Sequence, residues 1–348
     1  MALQKFSVCK DEEMYLAWPD LHLTQDQRLI CVFTECNHHL DRDRSRICIS
    51  ESPDRGRTWT ERRYLTEAGT KENYFNNARI SDLRDGRLAI ICDKVSKDEN
   101  SSAITYLWFS NDMGRTWSEP TVLPFCGIVP DKLKRLKNGR IIISNHFYDP
   151  EVNKLCQHLW YSDDNMATWS DRITVARDKR YNLCEGSIIE VDDGVLVCFL
   201  RENSGLGISI LKVVSYDNGK TWSDIYHTPM DSGHRPVSGY LSNGRVMVSY
   251  RYIPRGTQNV FCAILNKNHL TETERTKQSV IVFPLDHDRN PHPDLGYTGW
   301  VQFEDGEIYL VNYIKDDWDK GTIRGYSFYY EDIVLPPKET NTKNVFPI

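Results

Sequence analysis

Carboxylates recur in this chain at the points where strands should begin. Trp18-Pro19-Asp20 and Val129-Pro130-Asp131 are near copies of each other, and Cys184-Glu185-Gly186 leads directly into the apolar Ile188-Ile189. An acidic side chain at the head of an apolar strand needs a reason, because burying its charge unpaired is costly. Two carboxylates drawn from Asp20, Asp41, Asp131 and Glu185 are the equipment of acid/base glycoside hydrolysis. A carboxylate beside a phenol has a different use, as the base that activates a weak hydroxyl nucleophile. Gly296-Tyr297-Thr298-Gly299 places a tyrosine at another strand entry. A tyrosine or histidine in such a place is also the base a uronate lyase needs. His38, His39, His146 and His234 are candidate substrate contacts, the last two flanking predicted strands. Cys31, Cys36, His38, His39 and Cys48 crowd one region, but no cysteine pair has the CxxC spacing of a zinc site.

The elements that must position these groups are announced by two interleaved repeats. The first is S-x-D-x-G-x-T-W, at Ser52–Trp59, Ser110–Trp117 and Ser215–Trp222, with a copy at Ser162–Trp169 that has lost its glycine. Its aspartates, Asp54, Asp112, Asp164 and Asp217, are 58, 52 and 53 residues apart, the length of a four-stranded propeller blade. Within the box Asp caps the turn, Gly takes a positive φ, and Trp packs beneath it. The second repeat is an Asp-Gly or Asn-Gly turn before an apolar strand, at Asp85, Asn138, Asp193, Asn243 and Asp305, with Asp26-Gln27-Arg28 a weaker sixth. Such dipeptides between apolar runs are strong hairpin signals. Six hairpins predict an all-β, six-bladed β-propeller, a single domain over residues 1–348. The segment around Gln4 to Lys10 should close the ring against Ile323 to Tyr330, removing a sheet edge. Residues 268–279 are the best candidate for a short helix.

Composition narrows the partners. Of 348 residues 40% are hydrophobic and 26% charged, with a net charge of -6 and no basic stripe for nucleic acid. A local arginine cluster can still attract an anion. No apolar run approaches the length of a membrane span. The N-terminus lacks the apolar stretch and cleavage site of a signal peptide, so a cytoplasmic chain is expected, although one trimmed of its signal would read the same. Ten cysteines, several inside apolar runs, agree with a reducing compartment. Nothing specifies an oligomer.

Four Asp-boxes on a six-hairpin ring resemble the sialidase (neuraminidase) superfamily over nearly the whole chain. The box speaks for the fold rather than for chemistry, which lives at the central site. The resemblance implies a retaining mechanism with a tyrosine nucleophile, a glutamate base, an aspartate acid/base and three arginines gripping a carboxylate. A sugar with its carboxylate on the anomeric carbon would repel a carboxylate nucleophile, and a phenol avoids this. By likeness, Gly296-Tyr297 resembles the nucleophile strand, and Cys184-Glu185 through Phe199-Leu200-Arg201 resembles the strand pair carrying the base and one arginine. Asp41, in Asp41-Arg42-Asp43-Arg44, falls where the acid/base belongs. The family's R-I-P arginine is replaced by Ala17, in Ala17-Trp18-Pro19. Arg79 is the candidate to substitute for it, and Arg255, ahead of Arg251 and Arg235, for the third. The altered clamp implies a sugar other than ordinary N-acetylneuraminic acid, such as a related ulosonic or uronic acid. No metal or organic cofactor is implied, and the expected partner is a glycan or small sugar conjugate. Two alternatives stand beside this reading. One is another carbohydrate-active enzyme, a two-carboxylate hydrolase or a uronate lyase. The other is a non-catalytic glycan-binding or protein-binding propeller.

Overall fold

The computed structural model describes residues 3–96 and 103–333. Six antiparallel sheets of four strands each form the blades of a sialidase-like β-propeller. In five blades the strands follow chain order outward from the axis; Tyr15–Leu23, Leu29–Cys36, Arg46–Ser52 and Arg63–Tyr64 make the first. In the last, Gln4–Cys9 pairs outside Thr322–Tyr329, closing the ring with the N-terminal strand as the sequence implied.

Each repeat does its assigned work. The Asp-Gly and Asn-Gly turns join first strands to second strands, and the boxes join third strands to fourth. In the first box Asp54 accepts hydrogen bonds from the Thr58 amide at 2.8 Å and its hydroxyl at 2.7 Å. Ser52 Oγ accepts from the Gly56 amide at 2.7 Å, and the Trp59 indole donates to the Gly56 carbonyl at 3.1 Å. Asp112, Asp164 and Asp217 bind their threonines in the same way. The degenerate box keeps the geometry without the glycine: Met166 sits at φ 73° where the others have Gly at 84–85°. A left-handed non-glycine residue costs about 1–2 kcal/mol, so here the box is imposed by its surroundings.

Apolar side chains pack between neighbouring blades. Ile30, Val32, Ile47 and Ile49 of the first blade meet Ile80, Ile90 and Trp108 of the second. Residues 268–279 do not form an α-helix. They contain two 3-10 turns, Lys267–His269 and Arg275–Lys277. Leu270 is the only apolar residue from 267 to 279, so a helix there would have no stripe to bury. The longest apolar helix requirement for crossing a membrane is met by no helix among the described residues.

At Gly56 an added Cβ would lie 2.1 Å from the Tyr309 ring, and φ is +84°; at Gly139 φ is +89° but the space is open. Gly56→Ala should therefore destabilise the fold by about 3 kcal/mol, from strain and overpacking together, and Gly139→Ala by only about 1. Denaturant unfolding of the two variants checks this; equal losses would contradict the packing account.

Candidate functional site

The site is built on one feature repeated around the axis. Trp18, Asn77, Val129, Glu185, Arg235 and Tyr297 all have φ between 49 and 54°. Each sits in a bulge of an innermost segment. In the first blade Ala17 pairs with Thr34 and Asp20 with Val32, skipping Trp18 and Pro19. The same skip falls between Asn76 and Arg79, Cys184 and Ser187, His234 and Val237, and Gly296 and Gly299. In the third blade Ile128 bridges to His146, and the Asp131 amide donates to the Ser144 carbonyl. Bulges re-aim side chains, and strained residues persist where the surrounding fold over-determines them. Opposite each bulge, the second strand contributes Thr34, Asp93, His146, Arg201, Arg251 or Tyr313.

Two of these layers meet at Tyr297 and Glu185. The Tyr297 hydroxyl donates a short hydrogen bond to Glu185 Oε1, and Arg201 Nη1 donates to the same oxygen at 2.7 Å. The Glu185 amide donates to His146 Nδ1 at 3.2 Å. The guanidinium carbons of Arg235 and Arg251 lie 5.5 and 5.6 Å from the Tyr297 ring centroid. Tyr297 and Glu185 are only 8% and 4% exposed. Burial would raise the Glu185 carboxyl, but Arg201 and Arg235 outweigh it and hold it well below the carboxylate range. Burial, reinforced by Glu185, pushes the Tyr297 phenol up. The pair is therefore a neutral phenol donating to an ionised carboxylate. Burial also keeps His146 and His234 neutral, at about 4 and about 3.

Three arginines thus gather around the Tyr297–Glu185 pair, and several polar atoms here have no partner among the described residues. Glu185 Oε2, the Nε atoms of Arg201, Arg235 and Arg251, and His234 Nδ1 are buried and unpaired. Buried polar groups are ordinarily hydrogen-bonded, so such a concentration marks a place made for a polar ligand. The excess positive charge fits an anion, in a chain whose net charge is -6.

Other sequence candidates lie elsewhere. Asp20 and Asp131 face the seams between blades. Asp20 accepts from the Ile80 amide at 3.0 Å and lies 3.0 Å from Lys132, and Asp131 accepts from the Ile188 amide at 3.0 Å and from Lys134 at 2.8 Å. Ser187, at the equivalent point, accepts from the Ser238 amide. These side chains fasten blade to blade, so they do not pair across a sugar. Arg79, 2% exposed, donates to the Pro19 and Thr298 carbonyls and lies 3.6 Å from Asp20, so it is committed to the seam that Asp20 fastens; burial and Arg235 lower it to about 10. Arg255 is on an exposed turn, and Arg251 takes the place expected for it. Ala17 is fully buried, and the bulge beside it presents Trp18, in edge contact with Tyr297 at 6.5 Å. Asp41 lies in the 37–44 loop, accepting from Asn37 and the Asp43 amide, which hold it below the usual carboxylate value. His39 of that loop pairs with Asp294, a residue the sequence reading missed.

A usable signal for the second layer was present. Arg201, Arg251, Tyr313, His146 and Asp93 each stand seven residues after the glycine of their hairpin turn, at Gly194, Gly244, Gly306, Gly139 and Gly86. That constant spacing selects Arg251 over Arg255.

Comparison with known proteins agrees with this architecture. Residues 47–310 match the family model described as a BNR repeat-like domain. The chain is 27% identical over 213 residues to a sialidase of Clostridium perfringens, covering 51% of this chain and 56% of that protein. It is 25% identical over 244 residues to an anhydrosialidase of Macrobdella decora, covering 62% of this chain and 30% of the relative. It therefore spans about half the length of the first and under a third of the second. Among solved structures, a protein of unknown function from Dyadobacter fermentans superposes with TM-score 0.78 at 22% identity, covering 93% of this chain and 98% of that one. The NanB sialidase of Streptococcus pneumoniae superposes with TM-score 0.69 at 13% identity, over 94% and 70% of the two chains. At these identities the structural likeness speaks for the fold.

If Asp20 is a fastener, Asp20→Ala should cost about 3–5 kcal/mol, by stranding Lys132 and the Ile80 amide in a buried seam. Asp41→Ala, at a partly exposed loop position, should change stability by no more than about 0.5 kcal/mol. Thermal unfolding separates the two. An Asp20→Ala protein of unchanged stability would return Asp20 to the list of functional carboxylates.

Proposed function

Since the chain belongs to the family of BNR repeat-like domains, we propose that it is a retaining exo-glycosidase of the sialidase type that releases a terminal acidic sugar. The observation that carries this is the buried Tyr297–Glu185 hydrogen bond set among Arg201, Arg235 and Arg251. Tyr297 is the nucleophile and Glu185 its base; the arginines receive the substrate's carboxylate. The names of the clostridial and leech relatives support a substrate of the sialic acid class, as does the leech intramolecular trans-sialidase structure with bound 2,7-anhydro-Neu5Ac.

Electrostatics couple binding to chemistry. Arg201 and Arg235 hold Glu185 so far down that it is a weak base. A substrate carboxylate entering among them takes up part of their field, and Glu185 rises toward its ordinary range. The base therefore strengthens when an anionic sugar is present, and a neutral sugar leaves it weak. Glu185 then accepts the Tyr297 proton as the phenol oxygen attacks the anomeric carbon. The two-carboxylate reading loses support, because Asp20 and Asp131 are engaged in blade seams. The substrate is an ulosonic or uronic acid, with Trp18 rather than an arginine facing it from the first blade.

The test is turnover of aryl glycosides of N-acetylneuraminic acid, other ulosonic acids and uronic acids. Tyr297→Phe and Glu185→Gln should each lower kcat by roughly a hundred- to ten-thousand-fold on whichever sugar the wild type cleaves. Neutral glycosides should be left intact. Full activity in Tyr297→Phe would discard the tyrosine mechanism, and silence of the wild type across the panel would leave a binding propeller.

A further inference from the structure

The retaining mechanism needs a proton donor for the leaving oxygen, and the 37–44 loop offers two. Asp41 has its carboxylate tied to Asn37 and to the backbone of its own loop, with Lys71 3.9 Å away. That environment favours the ionised form, which cannot give a proton. His39 is differently held. Its Nδ1 lies 2.5 Å from Asp294 Oδ2, leaving Nε2 with no hydrogen bond among the described residues.

Asp294 is a built anchor. It accepts hydrogen bonds from the Tyr15 hydroxyl and, at 2.8 Å, from the Tyr313 hydroxyl, and its own amide donates to Asp288 at 2.9 Å. Tyr15 and Tyr313 are fully buried, so Asp294 is fixed by the core of the first and last blades. A fixed carboxylate on Nδ1 sets the ring orientation and the tautomer, directing the other nitrogen outward. The imidazole, 31% exposed, meets the Trp18 ring edge-on with centroids 5.3 Å apart. Trp18 in turn touches the Tyr297 ring, so one indole separates the imidazole from the nucleophile.

We propose that His39 is the catalytic acid/base of the glycosidase reaction, with Asp294 as its positioning residue; the inference rests on the glycosidase reading above. The cycle starts with His39 as the imidazolium, its Nδ1–H held by Asp294 and its second proton on Nε2. In the first step the Tyr297 oxygen bonds to the anomeric carbon while its proton passes to Glu185. The bond to the leaving oxygen breaks, and that oxygen takes the proton from His39 Nε2, leaving the neutral Nδ1–H ring. In the second step water attacks the anomeric carbon and yields a proton to His39 Nε2. The Tyr297 oxygen departs and recovers its proton from Glu185, so both groups return to their starting states. Asp294 stays a carboxylate throughout and stabilises the imidazolium.

Leaving-group dependence tests this directly. An acid matters for a basic leaving group and little for an activated one. With the best acidic sugar, His39→Gln should lower kcat/KM for alkyl or sugar leaving groups by roughly a hundred- to ten-thousand-fold, and for the 4-nitrophenyl glycoside by less than about tenfold. Asp294→Asn should show the same leaving-group slope with KM little changed, a pattern that mere loosening of the fold does not produce. Tyr297→Phe should lose every member of the series alike. A flat response in His39→Gln, or the slope appearing in Asp41→Asn instead, overturns the assignment while leaving the glycosidase reading in place. A wild type that cleaves no member of the series refutes both.

Discussion

Everything distinctive about this molecule depends on a single backbone constraint, the left-handed bulge at the head of each innermost segment. Six residues of quite different chemistry, Trp18, Asn77, Val129, Glu185, Arg235 and Tyr297, share nearly the same φ. No local preference explains a tryptophan, a valine and a tyrosine in that conformation. The hairpin turns at one end and the blade seams at the other fix where each strand must start and stop, and the extra residues are forced out as a bulge. The consequence is that six side chains are delivered to the axis at one level. Which chemistry results is then a matter of what stands at those six positions and at the six that face them.

In this chain the fourth, fifth and sixth blades carry Glu185, the three arginines and the two tyrosines, and the first and second carry Trp18, Thr34, Asn77 and Asp93. Glu185 with Arg201, Arg235 with Arg251, and Tyr297 with Tyr313 are successive blades' versions of one pair. The arginines gather around the Tyr297–Glu185 pair, and that asymmetry gives the site its electrostatic character. Trp18, covered by Arg42 at 3.7 Å and flanked by His39, meets Tyr297 from the first blade. Asp93, in the second blade's layer, is raised to about 7 by burial, partly offset by the Val129 amide that binds it. The lower parts of the same strands are structural. There Asp20, Asp131 and Ser187 repeat one fastening, each accepting the amide of the neighbouring blade.

How much of this was legible follows from what each signal depends on. The blades were, because Asp-boxes and Asp-Gly turns are local chemistry and survive any tertiary context. Tyr297, Glu185 and Arg201 were picked out by their place at strand entries and ends. The role of Asp20 and Asp131 was misread, because a carboxylate at a strand entry looks the same whether it faces the funnel or the seam. The distinction is a displacement of two residues along the strand, Asp20 against Trp18, and only the bulge reveals it. Arg79 was misplaced for the same reason, being two residues beyond Asn77. Arg255 lost to Arg251 although the seven-residue spacing from Gly244 held the answer. Asp294 was invisible, since its three side-chain donors come from residues 15, 39 and 313.

The central claim is that Tyr297 forms a bond to the sugar. Incubation with an acidic-sugar glycosyl fluoride carrying a second fluorine beside the anomeric carbon slows breakdown of a covalent intermediate, and peptide mapping by mass spectrometry then locates it. The account predicts one sugar residue attached to the peptide containing Tyr297. A sugar attached instead to Glu185 or another carboxylate would contradict it.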